Sequence, residues 1–372
     1  MTSVSSSLGG VRRDARARPP RCEHPDLLVA VVRDAAEAAR CPQLVREWTA
    51  LLARCPWAGA FQSPAFANTW YGSCADTHEP VLVEGRDAAG RLRGLLPLAV
   101  HRASGTLTAC GTHHAEYQTW VAEPEAGDAF AAAAFDAVAR AFPGRGLTLR
   151  YVAPGSPLGW LATDPWRRSC RLEWMCRALV DVCDPERGAA SLRKKSNRSR
   201  MNRLRRAGDL RFERVVDAGG FGRLLDELVP VYDLRQGAVH DVLPFGADAR
   251  KRRFHEALFA AGLLHASALR VGARLAAGHV GVRDRDAVCL GVYGYAPEPG
   301  KLLRLHLAGL LEEEGVPVLD MTPGPGWKER FATRTDEVAI LTFEPSATRR
   351  AARSLRLRAE AAAKRVALAA GT

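Results

Sequence analysis

The sequence predicts a mixed α/β protein built from two similar units, each with a mostly antiparallel sheet flanked by helices. Its 372 residues, 47% of them apolar, can bury a large core and suit two domains. Residues 80–111 and 263–296 each contain three apolar runs separated by turns, the pattern of a three-stranded meander. The second copy then continues as strand, helix and strand, which predicts a parallel crossover.

The first unit begins with helical signals. Residues 24–55 are predicted as helical, with an amphipathic stretch LVREWTALLARC, and residues 61–74 as a turn followed by an aromatic-rich helix. Two apolar runs in 80–102 surround a D-A-A-G turn and predict a hairpin. Residues 106–111 follow as a third strand.

The two meanders look like an internal repeat. A shift of 184 residues places Val81 on His265, and the motif G-R-L-R-G at 90–94 is echoed by A-R-L-A-A-G at 273–278. Duplication of one α/β unit explains this spacing. Because hairpins are common, a chance match is the alternative.

The crossover contains a strand-to-helix elbow. An apolar run, VCLGVYGYA (288–296), precedes a stretch whose leucines at 302, 303, 307, 310 and 311 recur at helical spacing, and VPVLDM (316–321) follows as the second strand. Pro299 and Gly300 lie at the junction. The first turn of a helix has unpaired N–H groups and the positive end of the dipole, so it can bind a phosphate. The alternative is an ordinary helix start.

The net charge of +12 is concentrated in two places. Residues 191–214 hold ten Lys/Arg and two acids, and residues 346–370 hold seven and one, so the rest of the chain is close to neutral. We expect the segment 193–206 either to form a solvated helix face or to bind an anionic partner, such as tRNA or membrane head groups. No aromatic stacking platform accompanies it.

The sequence gives little support to a membrane-spanning, a disulfide-bonded or a metal-binding protein. No apolar run is long enough for a membrane span, and residues 1–23 lack the apolar core of a signal peptide, so we expect a cytoplasmic protein. Nine cysteines without a C-x-x-C pair indicate reduced thiols. His113 and His114 with Glu116 resemble a metal cluster only superficially, since adjacent histidines do not share a helix face. We expect no metal.

Five short segments occur in a fixed order: FQSPAF (61–66), GRLRGLLPL (90–98), LRKKSNRSRMNRLRRAGDL (192–210), YAPEPGKLL (295–303) and DMTPGPGWKERF (320–331). Over about residues 40–345 this ordered set resembles the CelD-like acetyltransferase family, described as involved in cellulose biosynthesis and related to the FemAB peptidoglycan transferases. The resemblance implies a tandem GNAT-like acyltransferase fold. With the charge pattern, this predicts four segments: a disordered basic N-terminus (1–23), an N-terminal unit (24–180), a C-terminal unit with an acyl-CoA site (181–345) and a basic helical tail (346–372).

Two positions depart from the family pattern. The elbow reads Glu298-Pro299-Gly300 where the family has Ser-Pro-Gly, and Trp327-Lys328 stands where the family has Tyr-Lys. Backbone amides would do the binding at the elbow, so the first change is tolerable. The second removes a phenol that could act as an acid.

The resemblance implies that an acyl-CoA lies between two splayed strands, with its pyrophosphate on the helix-start amides. The implied cofactor-binding residues are Val292, Pro299, Gly300, Lys301, Leu302 and Lys328. An N–H near Val292 or Tyr293 would polarise the thioester carbonyl. Lys328 could equally be a surface lysine.

The implied catalytic residues are Asp320, Tyr293 and Glu116. Asp320 occupies the family's aspartate position as a base, although a turn-capping aspartate is the alternative. His279 and His306 are further candidate bases, and Tyr293 is the candidate acid. The implied substrate-binding residues are Arg235, Trp327 and Tyr117.

The function implied is transfer of an acyl group, most simply acetyl, from acyl-CoA to an amine in polysaccharide or envelope metabolism. Two alternatives stay open. A FemAB-type transferase would use aminoacyl-tRNA and bind it through the basic segment. A non-catalytic accessory protein of a polysaccharide synthesis complex is consistent with Trp327 in place of tyrosine.

Overall fold

The computed structural model describes residues 27–33, 35–182, 192–295, 297–324, 326, 328–348, 350–352 and 355. Within these residues the chain forms two sheets flanked by helices, which confirms the predicted mixed α/β class. No helix in the described ranges is both long and apolar enough to cross a bilayer. The predicted N-terminal segment 1–23 and most of the tail lie outside the described residues.

The first unit contains a five-stranded antiparallel sheet. Its strands are β1 (Leu28–Arg33), β2 (His78–Arg86), β3 (Leu92–His101), β4 (Leu107–Ala109) and β5 (Val121–Ala122). Its helices are α1 (Pro42–Arg54), α2 (Pro64–Ser73) and α3 (Gly127–Ala141). Pro begins both α1 and α2, and Ser63 caps α2 by accepting the N–H of Phe66. The predicted hairpin, the third strand and both early helices are confirmed.

The prediction of helix across residues 24–55 is wrong at its start. Leu28–Arg33 is a strand that pairs antiparallel with β2, with Val31 opposite Val83. Its sequence LVAVVR contains three valines, whose branched side chains favour strands. A short apolar run has no clear period, so the pattern alone could not separate strand from helix.

The second sheet has nine strands. They are β6 (Leu147–Val152), β7 (Cys170–Asp181), β8 (Leu210–Val215), β9 (Leu264–Val271), β10 (Arg274–Asp284), β11 (Ala287–Cys289), β12 (Val292–Tyr295), β13 (Val318–Pro323) and β14 (Arg334–Phe343). Strands β9 to β12 form the predicted second meander. The helices, together with the short α4 (Trp166–Ser169), are α5 (Lys195–Ala207), α6 (Ala218–His240), α7 (Ala249–Ala260) and α8 (Pro297–Glu313).

The two predicted units share this second sheet. Its order is β6-β14-β7-β13-β11-β10-β9-β8, so β7 lies between β14 and β13 although both come much later in the chain. Strands from the first half of the chain thus complete the sheet of the second half. The exact unit boundary near residue 180 stays a prediction.

The predicted parallel crossover is confirmed. β11 runs parallel to β13, with Cys289 opposite Asp320, and α8 connects the two sides of the crossover. Four leucines on one face of α8 are fully buried: Leu302, Leu303, Leu307 and Leu311. This burial matches the helical spacing of the apolar positions.

The third strand of the second meander is interrupted, which the sequence pattern did not predict. β11 ends at Cys289, β12 begins at Val292, and both pair with β10. The backbones approach closely at the interruption: a Cβ on Gly281 would lie 1.8 Å from the Cys289 carbonyl oxygen. Only glycine fits there.

Candidate active site at the splayed strands

The interruption lets two parallel strands separate. The Leu290 N–H donates to the Asp320 carbonyl at 2.7 Å, and among the described residues this is the last backbone hydrogen bond between the two parallel strands. Beyond it, β12 stays with β10 while β13 pairs with β7. A cavity of about 140 Å³, which we call the splay cavity, opens at this point and is lined by Leu290–Val292, Thr322 and Glu116 among others.

Glu116 comes from the first unit and faces the second. It follows a short 3₁₀ turn, Thr112–His114, in the loop between β4 and β5. Burial raises the pKa of Glu116 to about 7, although the Lys328 ammonium opposes this shift. A carboxyl group that titrates near neutrality can accept a proton from an amine. The role of Glu116 as a catalytic residue stays a prediction.

Asp320 is held by three donors. The Tyr117 hydroxyl donates to its Oδ2 at 2.6 Å, Arg177 Nη1 donates to the same oxygen at 3.3 Å, and the Thr322 N–H donates to Oδ1 at 2.7 Å. The residue is 2% exposed. Burial raises the pKa of Asp320, whereas Arg177 and the two hydrogen bonds favour the charged form.

Asp320 and Tyr117 line a different cavity from Glu116. This second cavity, of about 230 Å³, also contains Arg177 and Asp284. Since Tyr117 is 4% exposed and bonded to Asp320, it joins the two units across 203 positions of sequence. This hydrogen bond ties the loop that carries Glu116 and Tyr117 to strand β13.

Further contacts fix the first unit against the second. Asp284 accepts the Ala60 N–H at 2.6 Å, and Arg285 Nη2 donates to the Leu52 carbonyl at 2.9 Å and also to that of Cys55. Burial raises the pKa of Asp284. These contacts come from the β10–β11 turn, next to the splayed strands.

The helix start differs from the predicted elbow. α8 begins at Pro297, three residues before Gly300. The amides of Lys301 and Leu302 therefore lie beyond the first four positions, where intrahelical acceptors are available. The helix thus starts earlier than predicted, and pyrophosphate binding by the amides of Gly300, Lys301 and Leu302 stays a prediction. Pro299 and Gly300 are buried in the first turn, and the Gly300 carbonyl accepts the hydroxyl of Tyr293.

The remaining predicted residues lie around this turn. Arg235 Nη1 donates to the Tyr293 carbonyl at 3.3 Å, and the Arg304 guanidinium lies 5.7 Å from the Tyr293 ring centroid. Burial, followed by repulsion from Arg200, Lys194 and Arg304, lowers the pKa of Lys301. The helix start is thus strongly cationic.

Lys328 closes the loop after β13. Its Nζ donates to the Thr322 carbonyl and hydroxyl, at 3.1 and 2.8 Å, and to the Pro323 carbonyl at 3.0 Å. Val292 lines the splay cavity with Glu116. Trp327 lies outside the described residues. Within the described part of the chain, no group of three His, Cys, Asp or Glu side chains is arranged to hold a metal.

Two residues of the site were missed at the sequence level. Arg177 is on β7, whose sheet neighbours are more than 130 positions away in sequence, so nothing local indicates its role. Lys251 lines the splay cavity from α7. A signal existed: Lys251, Phe254 and Leu258 are spaced i, i+3 and i+7 and are the buried residues of that helix.

Comparison with known proteins bears on this arrangement. The acetyltransferase (GNAT) domain family model matches residues 191–331, which contain α8 and both splayed strands. This segment is therefore similar to GNAT acetyltransferase domains, and the match covers less than half of the chain. No curated protein matches the sequence.

Solved structures extend the likeness across both units. The chain is similar to FemX (9% identity, TM-score 0.55, 79% of this chain and 95% of that one). It is also similar to a conserved protein of unknown function from Bacteroides thetaiotaomicron (12% identity, TM-score 0.55, 81% of this chain and 97% of that one). A third similar structure is the C-terminal domain of a protein assigned as a lysylphosphatidylglycerol synthetase from Agrobacterium fabrum (14% identity, TM-score 0.52, 83% of this chain and 94% of that one). At these identities the likeness concerns the fold, which is tandem and GNAT-like.

Proposed function

We propose that the protein is an acyl-CoA-dependent N-acyltransferase in which the splay cavity brings the thioester and the acceptor amine together. The observation that carries this proposal is the position of Glu116, a base of suitable pKa from one unit, at the point where two strands of the GNAT domain separate. The acceptor class implied by the CelD-like resemblance, a sugar-linked or small-molecule amine, belongs to this proposal.

The chemistry requires little from the chain. The amine nitrogen attacks the thioester carbonyl, the C–S bond breaks, the thiolate leaves as CoA, and the ammonium proton passes to the Glu116 carboxylate. A backbone N–H of β12 near Val292 would polarise the carbonyl. Tyr293 could protonate the thiolate only after its hydroxyl leaves the Gly300 carbonyl. We assign Asp320 a positioning role because three donors already occupy it.

The experiment measures acetyl-CoA binding by calorimetry, and CoA release with glucosamine or glycine as acceptor. We expect Glu116→Gln to bind acetyl-CoA normally and to lose activity about 100-fold or more, the usual effect of removing a general base. Glu125→Gln, an exposed glutamate in the same unit, serves as the control. Absence of acetyl-CoA binding to the wild-type protein would overturn the proposal, and binding without turnover would favour the accessory function.

A second candidate, aminoacyl-tRNA as donor, has one observation in its favour. The exposed cations of α5 and the residues before it extend to the cationic start of α8 near Lys301. A polyanionic donor would release counterions on binding such a surface, so its affinity would fall steeply with salt. Binding of charged tRNA that outcompetes acetyl-CoA and weakens with salt would favour this candidate.

A further inference from the structure

The splay cavity contains a buried lysine whose ammonium has no ionic partner among the described residues. Lys251 is 8% exposed and lies on the buried face of α7. Its Nζ lies 4.9 Å from the Phe245 ring centroid and 5.6 Å from that of Tyr232. It has no hydrogen bond or ion pair with a described residue. A buried ammonium in this state is costly unless an anion joins it.

The carboxylates near Lys251 are engaged elsewhere. Asp233 accepts the N–H groups of Phe245 and Gly246, at 3.0 and 2.7 Å, and Asp248 pairs with Arg250 at 2.7 Å. Burial lowers the pKa of Lys251 to about 8, and these two carboxylates only partly oppose the shift. The amine is therefore available to a ligand.

His114 lies on the same cavity wall and is also available. Neither of its ring nitrogens has a hydrogen-bond partner among the described residues. Burial lowers its pKa to about 2, with neighbouring His113 and Lys251 adding to the effect, so the ring is neutral and can donate one N–H. Glu116 is the one acid among the described residues that line the cavity.

We propose that the splay cavity recognises an anionic group, a carboxylate or a phosphate, on the same small molecule that carries the acceptor amine. Lys251 pairs with this anion, His114 donates a neutral hydrogen bond to it, and the amine points toward Glu116. The cavity of about 140 Å³ has room for roughly five water molecules, which suits a fragment of the size of a small amino acid. The orientation of the amine rests on the proposed function, whereas the anion site does not.

The test uses the full chain labelled with ¹³C-histidine and follows the His114 ring signal by NMR, assigned through His114→Gln. Glycine, glycinamide and phosphoethanolamine are added in turn. We expect glycine or phosphoethanolamine to shift the signal saturably, and the tighter of the two identifies the anion as carboxylate or phosphate. Glycinamide, which lacks the anion, should bind at least tenfold more weakly. Equal binding of glycine and glycinamide, with no effect of phosphoethanolamine, would overturn the proposal.

Lys251→Met keeps the volume and removes the charge. We expect it to weaken binding of the anionic probe at least tenfold and to raise stability, because replacing a buried unpaired amine by an apolar group removes its desolvation cost. Arg253→Met, an exposed cation on the same helix, is the matched control and should leave binding unchanged. Unchanged affinity in folded Lys251→Met would also overturn the proposal.

The outcomes separate the two proposals. Anion binding is measured without acyl-CoA and without turnover. A protein that binds the anionic probe but transfers no acyl group contradicts only the proposed function. One that transfers acyl groups equally well to glycine and glycinamide contradicts only the anion site.

Discussion

In both meanders the third strand is interrupted, but the interruption has a different length and a different consequence in each. In the first unit, β4 and β5 both pair with β3 and are separated by residues 110–120; in the second, β11 and β12 both pair with β10 and are separated by Leu290 and Gly291. The long insertion carries Glu116 and Tyr117 out of the first sheet and against the second unit. The short one separates two parallel strands. One copy therefore supplies side chains and the other supplies the opening that receives them.

We expect the strongest effect at the short interruption, where the backbones of Gly281 and Cys289 lie close together. In Gly281→Ala the new Cβ would meet the Cys289 carbonyl at 1.8 Å, so the backbone must shift. We expect the free energy of unfolding to fall by about 3 kcal/mol, at the upper end of overpacking effects. Urea denaturation measures the change.

The control for this variant is a glycine with open space around it. Gly309 lies in the interior of α8, and a Cβ at this position would have no neighbour within 4 Å. Gly309→Ala should raise the free energy of unfolding by about 1 kcal/mol through helix propensity alone. If Gly281→Ala were as stable as wild type, the interruption would not depend on this contact.

A second way compares one buried tyrosine with another. The Tyr117 hydroxyl donates to the Asp320 carboxyl group, whereas the Tyr71 hydroxyl, within the first unit, donates to the neutral Leu98 carbonyl at 2.9 Å. We expect Tyr117→Phe to lower the free energy of unfolding by about 1.5–3 kcal/mol and Tyr71→Phe by about 0.5–1.5 kcal/mol. The reverse order in denaturation experiments would show that Asp320 does not anchor the long insertion.

The pH dependence of transfer sharpens the comparison further. Glu116 acts as a base only when deprotonated, and its pKa is about 7. The rate should therefore fall about tenfold per pH unit below pH 7, and Glu116→Gln should lose this inflection. Because the Lys328 ammonium favours the charged form of Glu116, Lys328→Met should move the inflection to higher pH. An inflection that persists in Glu116→Gln would assign the base elsewhere.

Local pattern predicted those parts of the fold whose partners are close in sequence. The hairpin β2–β3, the meander β9–β10 and the helices α1, α2 and α8 have turn residues and periods of their own. Strand β7 was missed because both strands that pair with it, β13 and β14, come far later in the sequence. Residues 28–33 were misassigned because a short apolar run fits either structure.

The candidate site, too, was predictable from sequence only in part. Sequence indicated Glu116, Tyr117 and Asp320, but not that the last two contact each other while Glu116 faces a separate cavity. Lys251 sits in ARKRRFHEALFA, whose composition resembles a solvated basic helix. Composition therefore hides its burial, and only the i, i+3, i+7 spacing of Lys251, Phe254 and Leu258 indicates the buried face.

The position of β7 has a consequence for synthesis of the chain. Both of its neighbours in the sheet, β13 and β14, emerge from the ribosome more than 130 residues later. Until then β7 has two open edges, each able to recruit a strand from another nascent chain. The order of translation thus makes completion of this sheet a late event that depends on distant strands. The strands of the first half that belong to it cannot finish pairing before the second half is synthesised.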